Sequence, residues 1–206
     1  MHHKIKAPRP RLAALALAAG LVAAAASPAL AELRAPKVGL HMIWDCTGPY
    51  SRRYDLTVVR IEDGIARYEG TVDDTPYFAE KDVTLTGTSL WIRLFGERVQ
   101  WFDMEDFAGV RKLVPGSRFK GAVPARQGED KWVWDYEVSI GQPQSVNHDV
   151  LGKVRLVPIS ESRKIFHGTY WSRMTTFVLP ERGISVRWIY EDPKGVESCD
   201  LVKLEP

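Results

Sequence analysis

Residues 169–204 read TYWSRMTTFVLPERGISVRWIYEDPKGVESCDLVKL, three strand-like runs separated by two turn signals. In the middle run Ile184, Val186, Trp188 and Tyr190 fall at every second position, with Ser185, Arg187 and Ile189 between them. A period of two gives a strand one buried and one mostly wet face, the pattern of an antiparallel sheet. The preceding run, 169–178, is rich in Thr, Tyr, Trp, Phe and Val, which suit a pleated, half-buried surface. Pro180 has no N–H for a ladder and Gly183 accepts a positive φ, so 179–183 reverses the chain. Asp192-Pro193-Lys194-Gly195 carries Pro second and Gly fourth, as a type I turn favours. The third run, 196–204, holds Cys199.

The other cysteine is Cys46, far away in sequence. An even pair in an exported chain is expected to form a disulfide, which would set the first strand beside the last. Export is expected from the first 31 residues. Lys4, Lys6, Arg9 and Arg11 form a basic start, an Ala- and Leu-rich stretch follows over 12–26, and Ala29-Leu30-Ala31 has the spacing that a signal peptidase reads. The apolar stretch is short for a membrane span, which takes about 20 residues. The expected organisation is therefore a signal peptide, 1–31, cleaved after Ala31, and a single secreted or periplasmic β domain, 32–206, with no integral membrane segment.

The whole chain has 28 Lys and Arg against 26 Asp and Glu. Removing the leader takes four basic residues and no acidic one, which leaves 24 against 26 and a net charge of −2. A nucleic-acid partner loses its electrostatic footing.

Val38, Leu40, Met42 and Trp44 alternate as a first strand. Asp63-Gly64, between β-forming runs at 54–62 and 65–72, is the strongest hairpin signal in the chain. Asp73-Asp74-Thr75-Pro76 reads as a turn, and 83–86, 90–95 and 98–102 as short strands. Met104, Phe107, Ala108 and Val110 sit at helical spacing behind a possible Asp103 cap, predicting one short helix near 103–113. Strand character resumes at 117–123. In 131–140, Trp132, Trp134, Tyr136, Val138 and Ile140 form one continuous stripe. Gly152 suggests a bend or bulge within 146–159, and 160–164 reads as a polar turn. The sum is an all-β fold: a curved antiparallel sheet of about ten strands forming a barrel, half-barrel or sandwich.

Chemistry-bearing residues are scattered. His41, His148 and His167 have no mutual ligand spacing, Gly-x-Ser-x-Gly is absent, and the acidic pairs fall at turns or a helix start. No catalytic set, metal or cofactor is read from the sequence, and Arg52-Arg53 reads as a solvated strand start. The candidate ligand-binding residues are Trp132, Trp134, Tyr136, Trp171 and Trp188: core if the sheet is packed solid, pocket lining if it curls around a cavity.

The C-terminal pattern resembles uncharacterised exported bacterial β-sheet proteins. It consists of Tyr170-Trp171, then Leu179-Pro180-Glu181-Arg182-Gly183-Ile184, then Val186-Arg187-Trp188 and a closing Asp200-Leu201-Val202. Leu113-Val114-Pro115-Gly116 and the strand from Trp132 resemble the middle of that group. The resemblance implies a curved antiparallel sheet and names no reaction; envelope lipoprotein carriers use a broadly similar half-barrel. The expected function is non-catalytic binding of an apolar, amphipathic or lipid-like ligand, or of an envelope protein. The alternatives are a structural or interaction module, and a hydrolase assembled from distant residues such as His41, Asp45 and His167.

Overall fold

A computed structural model describes residues 34–82, 89–94, 97–102, 115–127, 129–165 and 168–206. The leader, the 83–86 run, the helix expected near 103–113 and His167 lie outside the described residues. The described residues form thirteen strands: β1 (His41–Thr47), β2 (Arg53–Glu62), β3 (Ile65–Val72), β4 (Thr75–Asp82), β5 (Ser89–Leu94), β6 (Glu97–Phe102), β7 (Arg118–Gln127), β8 (Asp130–Ile140), β9 (Gln144–His148), β10 (Gly152–Ile165), β11 (Trp171–Leu179), β12 (Ile184–Asp192) and β13 (Gly195–Glu205).

They make one curved sheet, every ladder antiparallel, in the order β11-β12-β13-β1-β2-β3-β4-β5-β6-β7-β8-β10-β9. β10 also pairs with β11, so the pairings lead round in a ring. β9 continues the line of β8 along β10, with Gly141 N–H donating to Pro158 O between the two segments. The join of first and last strands is the one the cysteines imply. Cys46 and Cys199 face each other across the β1–β13 ladder, their Cα atoms 4.0 Å apart, and form a disulfide.

Turn chemistry explains the strand boundaries. Asp63 and Gly64 adopt φ of 50° and 75°, the left-handed pair that matches the twist of a two-residue hairpin. Asp73 and Asp74, at 47° and 65°, make the same turn without glycine. Aspartate tolerates that region because its short side chain bonds locally. The expected four-residue turn is therefore only two residues long, and β4 begins at Thr75. Pro76 fits there because the β4–β5 ladder starts only at Tyr77.

Two further readings are corrected. Gly152 is not a bend within a strand but the closing residue of the β9–β10 hairpin, paired with His148 at φ 69°. The supposed polar turn at 160–164 lies in the C-terminal half of β10, paired on both edges. Period two continues through it, with Ile159 and Glu161 buried and Ser160 exposed.

Side chains on the inner face form two apolar clusters. One joins Met42, Trp44, Leu56, Val58, Tyr68, Ala79, Ile184, Val186 and Leu201. The other joins Val123, Trp134, Tyr136, Val138, Ile140, Val157, Ile159 and Val178. Trp44 anchors the first by donating its indole N–H to Ser185 O at 3.0 Å.

Candidate functional site: an aromatic and cationic cavity inside the sheet

The strands carry their inward residues in matched layers. Cys199, Trp188, Thr176 and Ile159 are successive cross-strand partners. One step along, Glu197, Tyr190, Met174 and Glu161 are partners in turn. In the opposite direction the inward residues become Leu201, Val186 and Val178, all buried in the apolar clusters. The inner face therefore changes from aliphatic to aromatic to charged along one direction, in register across β10–β13.

A cavity of about 470 Å³ lies over this gradient. Its lining includes Trp44, Tyr54, Leu56, Tyr77, Met174, Thr176, Trp188 and Tyr190, with Arg52, Lys81, Arg163, Lys194, Asp192 and Glu197. Aromatic rings pack tilted or edge-on around it: Trp188 lies 5.5 Å from both Trp44 and Tyr54, and Tyr54 lies 5.6 Å from Tyr77, centroid to centroid.

The charges are ordered by partners. Arg163 binds Glu161 at 2.9 Å, and the Glu161 side chain is almost wholly buried. Arg52 lies 3.7 Å from Glu197, itself buried, and donates from Nε to Tyr50 O at 2.8 Å. Burial raises the pKa of Glu197, and the Arg52 guanidinium opposes that rise. Tyr50 donates its phenol proton to Asp192 at 2.8 Å. Burial pushes the Tyr54 phenol up to about 12, so it stays protonated and able to donate.

Lys81 differs from these. Desolvation lowers its pKa from 10.5 to about 8, and the Glu161 charge only partly restores it. Its Nζ lies 5.3 Å from the Tyr68 ring centroid and 6.0 Å from that of Trp188. The Thr176 hydroxyl is buried without a hydrogen-bond partner among the described residues. Such a set can hold a molecule with an apolar body and an acceptor-bearing end.

Of the residues singled out by sequence, Trp188 lines the cavity. Trp134 and Tyr136 are buried in the second cluster, with Trp132 packed against it. Tyr136 still touches the site from behind, its ring centroid 6.0 Å from Arg163 Cζ, and Trp134 stacks on the cavity residue Tyr170 at 5.9 Å. Trp171 alternates with the inward Ser172, so it stands on the other face, covered by Arg173 at 5.3 Å. Arg52, read as solvated, is a cavity residue; only its neighbour Arg53 points outward, to Asp45 at 2.9 Å.

His41 and Asp45 do not converge. His41 donates on the outer face to the carboxylates of Asp55 at 2.6 Å and Glu205 at 3.0 Å, while Asp45 takes Arg53. Sequence reading missed Lys81, Glu161 and Arg163. The available signal was the period-two alternation of Tyr77, Ala79 and Lys81, and of Ile159, Glu161 and Arg163, extending an apolar face into charge.

No family model matches the chain, and no curated protein matches it. Among solved structures it is similar to the crystal structure of the hypothetical lipoprotein YmcC from Escherichia coli (K12). The TM-score is 0.54 at 12% identity, over 84% of this chain and 90% of that one. The likeness is one of fold.

Proposed function

We propose that the chain is an exported, non-catalytic binding protein of the bacterial cell envelope that carries an amphipathic small molecule. The observation that carries this reading is the cavity of about 470 Å³, apolar and aromatic at one end and charged at the other. That volume falls in the range of small-ligand sites, roughly 300–1,000 Å³. The leader-like first 31 residues and the Cys46–Cys199 disulfide support an oxidising compartment. The similar fold of the hypothetical lipoprotein YmcC agrees with an envelope setting. In this reading Trp188, Trp44, Tyr54 and Tyr77 hold the apolar body, and Tyr136 and Trp134 back the wall.

Native mass spectrometry of the protein purified from the periplasm tests it. Carriage predicts a mature chain beginning at Glu32 with a retained small-molecule adduct that organic solvent removes. A chain that is bare, and stays bare after incubation with envelope lipid extract, refutes carriage and shifts the reading to an interaction module.

A further inference from the structure

We propose that the cavity selects an amphipathic anion, a carboxylate or phosphate monoester, and binds its charged end at Lys81 and Thr176. This rests on the carriage reading and specifies its ligand class.

The argument begins with charge pairing. Two of the interior cations already have carboxylates: Arg163 has Glu161 at 2.9 Å and Arg52 has Glu197 at 3.7 Å. The carboxylate of Asp192 is occupied by the Tyr50 phenol and the Lys194 backbone N–H, both at 2.8 Å. The Lys194 ammonium sits over the Tyr50 ring at 5.7 Å, at the turn between β12 and β13. Lys81 reaches in from β4 with neither an ion pair nor a hydrogen bond among the described residues. Its ammonium lies over the faces of Tyr68 and Trp188, and Glu161, already paired with Arg163, attracts it only from a distance beyond an ion pair. An ammonium has three donors to satisfy, and rings satisfy none of them as a hydrogen-bond acceptor would.

A second, independent observation points the same way. Thr176 is 1% exposed, and its Oγ1 has no partner among the described residues. It lies across the β11–β12 ladder from Trp188, the residue whose ring Lys81 faces, and lines the same cavity. A buried hydroxyl without a partner is costly and rare. An ammonium and a hydroxyl that line one cavity both lack an acceptor among the described residues. Carboxylate and phosphate oxygens supply acceptors and negative charge together. A neutral alcohol supplies one weak acceptor, and a cationic head meets Lys81, Arg52 and Arg163. The apolar tail then runs toward Trp44, Leu56 and Met174.

The test is a titration of the mature, disulfide-bonded protein with dodecanoate, dodecyl phosphate and dodecanol, each below its micelle concentration, followed by tryptophan fluorescence and calorimetry. At least one anion is expected to bind tenfold or more tighter than dodecanol, and the two anions against each other tell carboxylate from phosphate. Lys81→Met should bring the anion-to-alcohol affinity ratio close to one. Thr176→Val, which keeps the shape and removes the hydroxyl, should lower the ratio severalfold. Equal affinity for alcohol and anions in the natural protein, or a ratio unchanged by Lys81→Met, overturns the anion assignment and leaves carriage standing. No binding of any of the three overturns both.

Discussion

Replacing Lys81 by methionine should stabilise the protein at neutral pH. Holding an ammonium's pKa at about 8 instead of 10.5 means that the folded state disfavours the charge by about 3 kcal/mol. The sign follows from proton counts. Between pH 8 and 10.5 the unfolded chain keeps the Lys81 proton and the folded chain sheds it, so stability rises with pH across that window. Below pH 8 the whole cost is present. Methionine has similar length and carries no charge, so it removes the cost. It also loses the attraction of the ammonium to the Tyr68 and Trp188 rings, about 1 kcal/mol for such contacts. The net gain at pH 7 is about 2 kcal/mol. The charged groups around the cavity do not cancel this: Glu161 is shared with Arg163 and restores the Lys81 pKa only in part, and Glu197 is engaged by Arg52. Tyrosines of the unfolded chain ionise near pH 10, but they are common to both proteins and drop out of the difference. Urea unfolding of ligand-free protein, followed at pH 7, 8, 9 and 10, measures it. The variant's advantage should be largest at pH 7 and shrink steadily above pH 8. A variant less stable than the natural protein at pH 7, or an advantage independent of pH, refutes a desolvated ammonium at this site.

Three other outcomes follow from local geometry. Gly183 has φ 62°, and a Cβ there would lie 1.8 Å from Arg34 O. Gly183→Ala should therefore cost at least about 2 kcal/mol in thermal or urea unfolding. It should also disturb the Arg34 N–H bond to Pro180 O; a loss under about 0.5 kcal/mol would contradict the close approach. Reducing the Cys46–Cys199 bridge, which closes a sequence separation of 153 residues, should lower stability by roughly 3–5 kcal/mol through unfolded-chain entropy. An unchanged urea midpoint in reductant, with thiols shown to be free, contradicts that. The His41 imidazolium should titrate above 6.5, raised first by its bond to Asp55 and then by Glu205. Its stabilising contribution is present below pH 6.5 and fades as pH climbs through the raised value, and proton NMR of the ring reads the midpoint directly. A midpoint at or below 6.5 would mean that the outer-face contacts to Asp55 and Glu205 do not form in solution.

The parts of the fold that sequence revealed are those governed by local rules. Asp63-Gly64 fixes both the end of β2 and the start of β3, because the left-handed pair it demands is available to few residue pairs. The alternation from Ile184 to Tyr190 marks the inner face of β12, with Ile184 and Val186 in the core and Trp188 and Tyr190 on the cavity. The misreadings have one physical source. Polar residues at 160–164 look like a turn if polarity is taken to mean water, yet Glu161 and Arg163 are inside, neutralising each other. Arg52 looked solvated for the same reason. Pairing between residues remote in sequence is what makes such burial tolerable, and no local pattern records it. Thr75-Pro76 failed differently: two aspartates alone completed the turn, so the proline belonged to the strand.

Charge inside a sheet of this size opposes folding, and its placement indicates what the interior is for. A core selected only for stability would continue the aliphatic face of β10 and β4 past Ile159 and Ala79, since well-packed apolar residues equal or exceed a buried ion pair. Instead β10 continues with Glu161 and Arg163, β4 with Lys81, β11 with Thr176 and β13 with Glu197; Arg163, Lys81, Thr176 and Glu197 line one cavity, and Glu161 pairs with Arg163 behind it. Tyr54 and Tyr77 add phenols that burial keeps protonated. Arg163 and Glu161, and Arg52 and Glu197, form pairs that hold the wall rigid. Lys81 and Thr176 complete no ion pair or hydrogen bond among the described residues, so by themselves they oppose folding. A ligand that meets both converts that loss into affinity, and this is why the variant predicted to be more stable is also the one predicted to stop discriminating acid from alcohol. Measuring both in one protein links the two claims: stabilisation with retained selectivity would show that Lys81 is buried but idle, and loss of selectivity without stabilisation would show a cation that binds ligand from a hydrated position.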